Sequence, residues 1–118
     1  MEDKKMTTFS IPRGDYRAYP FNMEVGGVAQ DMAGMTFVFT LKRHIEDPDS
    51  EILFTEEVAI PAGSALYSAL LEITSTDSDQ EPGNYYLEGT SYSDITKPIT
   101  ADPVVFKITE RLRKVMPA

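Results

Sequence analysis

The sequence predicts a single all-β domain, an antiparallel sandwich of about seven short strands. Three observations carry that expectation. Apolar residues alternate with polar ones at period two over most of the chain, the pattern of half-buried strands. Turn residues (Pro-Asp, Gly-Gly, Pro-Gly) separate the alternating stretches. The 118 residues suit one domain, read as residues 1–118 with a core over about 6–113, and show neither repeat nor linker.

The elements follow in order. "MTTFSIP" and "YRAYPFNM" read as two short strands on either side of Arg13-Gly14-Asp15, and "EVGGVAQDMAG" as a glycine-rich connector. "TFVFTLKR" places Phe37, Phe39 and Leu41 on one face and Thr36, Val38, Thr40 and Lys42 on the other. Asp47-Pro48-Asp49-Ser50 is turn chemistry, and "ILFTEEVAI" resumes a strand with Ile52, Phe54, Val58 and Ile60 in phase. Glu56 interrupts that phase, which marks a bulge or an edge strand. "PAGSALYSALLEI" fits a helix through Leu66, Ala69, Leu70 and Ile73 or a strand through Tyr67, Ala69, Leu71 and Ile73; the surrounding β pattern favours the strand. One helical turn is expected near Thr76. "NYYLEGTSY" is a strand with Tyr85, Leu87 and Gly89 on one face, and "PVVFKITERL" closes the set with Val104, Phe106 and Ile108 in phase.

Composition excludes several chemistries. Without cysteine there is no disulfide, thiolate nucleophile or zinc–thiolate site. His44 is the sole histidine, no G-x-S-x-G elbow exists, and Gly26-Gly27 lacks the spacing and the Lys-Ser/Thr of a phosphate loop. Asp47, Asp49 and Glu51 alternate like calcium ligands but lack the rest of an EF-hand loop, and Asp77 and Asp79 read as a polar connector. The expectation is a protein with no catalytic residues, no cofactor and no metal. A net charge of −8 disfavours nucleic acid, and no apolar run is long enough to span a membrane. "MEDKKMTTF" has no signal-peptide core.

The charges are unevenly placed. Residues 44–96 hold twelve acids and no Lys or Arg, whereas residues 97–118 hold two acids and five bases. That split suggests a contact between copies, with Lys107, Arg111, Arg113 and Lys114 meeting the acidic middle of a neighbour. Tyr85, Tyr86 and Tyr92 supply the alternative, a stacking platform for a glycan.

Four stretches carry a family resemblance. Ile11-Pro12-Arg13-Gly14-Asp15 follows the first strand, "MTFVFTLKR" forms the long apolar strand, "LLEITSTDSDQEPGNYYLEGTSY" leads through Pro-Gly-x-Tyr-Tyr, and "PVVFKITERL" ends the domain. Their order resembles the small immunoglobulin-like sandwiches of tailed-phage baseplate and tail proteins, in particular the N-terminal domain of baseplate upper proteins. The resemblance implies an Ig-like topology and a non-enzymatic structural role in a phage or prophage tail. It also implies other virion proteins or further copies as partners, and a location in the virion after synthesis in the bacterial cytoplasm. In that setting Arg13-Gly14-Asp15 is a backbone bend rather than an adhesion signal, since Gly14 permits the bend and Asp15 can bond to nearby backbone. The rival function is a carbohydrate-binding or adhesin-type sandwich module.

Overall fold

The computed structural model describes residues 8–63 and 65–112. The protein is all-β. Among the described residues ten strands run in chain order: β1 (Thr8–Pro12), β2 (Arg17–Phe21), β3 (Glu24–Val25), β4 (Val28–Ala29), β5 (Thr36–Lys42), β6 (Phe54–Ala59), β7 (Ala69–Ile73), β8 (Gly83–Tyr92), β9 (Ile99–Thr100) and β10 (Val104–Thr109). A 3₁₀ turn, Asp49–Glu51, sits in the β5–β6 loop. The large sheet has the order β1-β10-β8-β5-β6, with β9 beside the far half of β8. β2 and β7 form a second sheet, and β3 and β4 a small hairpin.

The alternation of β5 decides which side of the large sheet is the core. Phe37 and Leu41 are buried, and Phe39 packs against both clusters of the interior. Register carries the same division across the sheet: Leu41 stands opposite Leu87 and Phe54, and Phe106 opposite Tyr85. β7 lays Leu71 and Ile73 against this face from the second sheet. Fully burying an apolar side chain of this size stabilises by about 1.5–3 kcal/mol, so this shared cluster is the main adhesive between the sheets. A smaller cluster, Met32, Phe37 and Ile60, lies towards the β3–β4 hairpin. Phe21 joins the two, its ring 5.0 Å from both Phe37 and Phe39 and edge-on to each.

Several expectations change. The arrangement is not wholly antiparallel, because β1 runs parallel to β10, Thr8 opposite Val105 through Pro12 opposite Thr109. The cause is the turn after β1, which hands the chain to the other sheet. β2 therefore pairs with β7 and leaves β1 to dock on β10. The glycine-rich connector folds into the β3–β4 hairpin, with positive φ at Gly26 and Gly27 as a two-residue turn of this kind needs. Glu56 marks an edge and not a bulge: β6 is the last strand of the sheet and its register with β5 is unbroken. An inward-facing charge on an edge strand discourages a further strand from adding there. Residues 69–73 are strand, but Tyr67 lies outside it and is exposed.

Candidate functional site

Arg13-Gly14-Asp15 is a structural turn. The Asp15 N–H donates to the Pro12 carbonyl at 3.1 Å, and Gly14 has φ +80°, as the third position of a type II turn requires. The Arg13 N–H donates to the Thr109 carbonyl at 2.9 Å, while Arg13 Nε donates to Asp79 at 2.9 Å. Arg111 donates to the Asp15 carboxylate. Ser78, fully buried, donates from Oγ to the Asp15 carbonyl at 2.7 Å, and its own carbonyl accepts from the Gly14 N–H at 3.3 Å. The expected helical turn supplies Ser78. Thr74 Oγ1 accepts from the Asp77 N–H, and Asp77 returns a carboxylate to the Thr74 N–H, both at 3.1 Å, a reciprocal cap. With Asp15 bound to Arg111 and its backbone locked, the tripeptide is not an open recognition loop.

The residues singled out in the sequence divide between the two faces of the large sheet. Tyr85 is 4% exposed and faces inward; its hydroxyl donates to the Glu81 carbonyl at 2.6 Å and the Arg43 guanidinium covers its ring at 4.6 Å. That removes it from any glycan platform, because no ring face is left open. Arg111 is occupied by Asp15, which withdraws it from the basic patch expected to meet a neighbour. Arg113 and Lys114 lie outside the described residues. Lys107, Tyr86 and Tyr92 share the outer face but are spread along it: Lys107 stands opposite Asn84, Tyr86 opposite Lys42 and Tyr92 opposite Thr36 at the other end of β5.

That outer face is the candidate site. Its centre is uncharged and half-buried: Thr36, Val38 and Thr40 from β5, beside Thr90 and Tyr92 from β8. Thr90 and Thr100 share a hydroxyl–hydroxyl bond of 3.1 Å across β8 and β9. Charged residues border this centre, Glu57 on β6 opposite Val38, Glu88 on β8 opposite Thr40, and Lys42 at the end of β5, whereas Lys107 on β10, opposite Asn84, lies further along the sheet. β-Branched side chains on a pleated surface have little rotamer freedom, so this face is stiff and loses little entropy when covered. At one end the β5–β6 loop folds back over the sheet. Lys42, 20% exposed, holds it there, donating to the Asp47 carbonyl at 2.8 Å and to Asp49 at 3.1 Å. Asp47 in turn accepts from the His44 N–H at 3.0 Å. The loop acids and the single histidine thus build a turn; among the described residues no group of three or more His, Asp or Glu is placed to hold a metal. Beneath the loop is a cavity of about 230 Å³ lined by Tyr86, Lys42, Ile45, Ile52 and Glu88 among others.

No protein-family model and no curated protein matches the sequence. Among the described residues, no helix is long and apolar enough to cross a membrane.

The sequence pattern marks Thr36, Val38 and Thr40 as one face of β5, yet not as a site. The signal that could have found it is the coincidence of small uncharged residues on the same face of two paired strands, which is visible only once β5 and β8 are known to be neighbours.

Proposed function

We propose that the chain is a non-enzymatic structural component of a tailed phage or prophage, in its tail or baseplate, built as an Ig-like β-sandwich. Copies of itself or other virion proteins are its partners, and the virion is its location. The strand order supports the Ig-like fold. A five-strand path with β1 and β10 parallel at one edge, faced by a β2–β7 pair, is the order that a variable-type immunoglobulin sandwich would give. The observation that carries the assembly role is the outer face of the large sheet, an uncharged Thr/Val/Tyr centre bordered by Glu57, Glu88 and Lys42. Depletion of charge at the centre of a polar-rimmed patch is the compositional mark of protein interfaces.

Two experiments test this reading. Val38→Arg places a guanidinium in the centre of the face and opposite Glu57, where the fold can accommodate it. Light scattering should then show loss of the oligomer, or of the complex with a partner, while circular dichroism stays unchanged. Unaltered assembly rejects this face as the contact. Electron microscopy of phage particles labelled for this protein should place the label on the tail; unlabelled particles reject the virion role.

Tyr86 favours a second reading, a glycan-binding module, because its ring borders the 230 Å³ cavity beside Lys42 and Glu88. Sugar binding lost in Tyr86→Ala would select it.

A further inference from the structure

The 230 Å³ cavity at the border of the outer face has a defined floor, wall and charge. Two registered pairs of β5 and β8 make the floor, Thr40 opposite Glu88 and Lys42 opposite Tyr86. The β5–β6 loop folds over one side and contributes Ile45 and Ile52. Lys42 fixes that loop through the Asp47 carbonyl at 2.8 Å and the Asp49 carboxylate at 3.1 Å, so its ammonium is already paired within the wall. Glu88 stands at an exposed position of β8 and has no hydrogen bond or ion pair to another described residue. The charged groups of the lining are Lys42, Asp49 and Glu88; the first two offset each other, and Glu88 is left as the net charge of the cavity. Tyr86, two residues earlier on the same face, sets a half-buried aromatic ring beside it.

We infer that this cavity receives an arginine side chain of a different protein, which anchors the contact at the outer face. The inference rests on the reading of that face as a protein contact and supplies the chemistry of its partner. A planar guanidinium forks onto a carboxylate, stacks on an aromatic ring and lays its methylenes on apolar side chains, which here are Glu88, Tyr86 and the two isoleucines. The volume suits one long side chain, since sites for drug-sized molecules begin at about 300 Å³. Arginines seated in pockets are also among the few residues that carry most of an interface's energy. This chain has no spare arginine among its described residues. Arg13 is engaged by Asp79, Arg17 by the Ser10 carbonyl, Arg43 by the Tyr85 ring and Arg111 by Asp15. A second copy offering the same face would moreover add another Glu57 and Glu88 to the contact, a like-charge cost.

The test uses the full chain and two capped pentapeptides of Thr and Val, one with a central arginine and one with a central citrulline, which has nearly the same shape and no charge. In an NMR titration the arginine peptide should shift the amide resonances of Tyr86 and Glu88 and the methyls of Ile45 and Ile52. The citrulline peptide should bind about tenfold or more weakly. Glu88→Gln, at an exposed position, removes the charge with little change of shape and should bring the arginine peptide down to the citrulline level. Absence of binding by the arginine peptide overturns the inference, as does equal affinity for the two peptides, or binding that Glu88→Gln leaves unchanged. Self-association abolished by Glu88→Gln also overturns it, by naming a second copy as the source of the cation. Val38→Arg, outside the cavity lining, separates this inference from the reading it rests on. Assembly broken by Val38→Arg without any arginine binding keeps the face and rejects the cavity; arginine binding beside assembly that Val38→Arg leaves intact keeps the cavity and rejects the face.

Discussion

Two glycine turns sit in different regions of this molecule and are held by different means. The Pro12–Asp15 turn draws on residues distant in the chain: Ser78 and Asp79 from the connector before β8, Thr109 and Arg111 from the end of β10. The Gly26-Gly27 hairpin draws on its chain neighbours: Gln30 donates from its N–H to the Met23 carbonyl at 2.8 Å and from Nε2 to the Val28 carbonyl at 2.9 Å. No atom lies within 4 Å of where either Cβ would stand, and its flanking Val25 and Val28 are exposed. One turn is a product of the tertiary fold, the other of local conformational preference. The cores beside them differ likewise. Among the described residues, nine buried ones form the cluster that reaches Ile11 and Ile108 on the clamped side, against three on the hairpin side. Stability should therefore be concentrated at the clamped turn, with the hairpin side opening first.

The largest test of that contrast is core truncation. Phe106→Ala, at a residue with no exposure in the middle of the large cluster, should cost about 3–5 kcal/mol in chemical denaturation. Met32→Ala, equally buried but in the small cluster, should fall at the low end of its range, about 2 kcal/mol, because fewer neighbours hold the cavity open. Equal losses at the two sites would remove the distinction. Next in size is Ser78→Ala, which leaves the Asp15 carbonyl without its donor in a covered site and should cost about 1–3 kcal/mol. Amide exchange should then accelerate at Gly14 and stay constant at Gly27.

Acid gives the smallest and most discriminating test, because the two sides respond with opposite sign. Near the hairpin, Asp31 accepts from the Leu66 N–H at 2.9 Å and the Ala33 N–H at 3.0 Å, and these bonds hold its carboxyl below the ordinary value of 3.8. Its contribution is present at neutral pH and lost as pH falls through the lowered value. Asp31→Ala should be less stable than wild type at pH 7 and converge with it in strong acid. Beside the capped turn, Glu56 is raised above 4.5, first by burial and then by Asp77 and Glu72. The folded state there holds the proton more tightly than the unfolded chain, so stability falls as pH rises through that window. Glu56→Gln should be the more stable protein at pH 7, with no advantage once pH drops below the ordinary value.

The strands are legible in the sequence where alternation is clean. β5, β8 and β10 each show their two faces, and the inward set of each is the one its apolar phase marks. Which tyrosine is lost to the core is not legible, because Tyr85 and Tyr86 fall on opposite faces and both suit a strand. The start of β7 is equally hidden. Leu66, Ala69 and Leu70 satisfy a helix, and only pairing with β2 fixes residues 69–73 as extended. The parallel β1–β10 pair and the Arg111–Asp15 contact join residues about a hundred positions apart, and no local pattern records such a distance.

The parallel edge has a mechanical meaning. β1 and β10 lie side by side with Thr8 opposite Val105 and Pro12 opposite Thr109, so the chain enters at one end of the edge and leaves at the other. Tension applied through Thr8 and Thr109 in opposite directions slides the two strands along each other. The five registered pairs then share the load together, where an antiparallel hairpin pulled from its open end would lose its pairs singly, in succession. A sheet edge arranged in this way resists stretching along the strands far better than peeling across them.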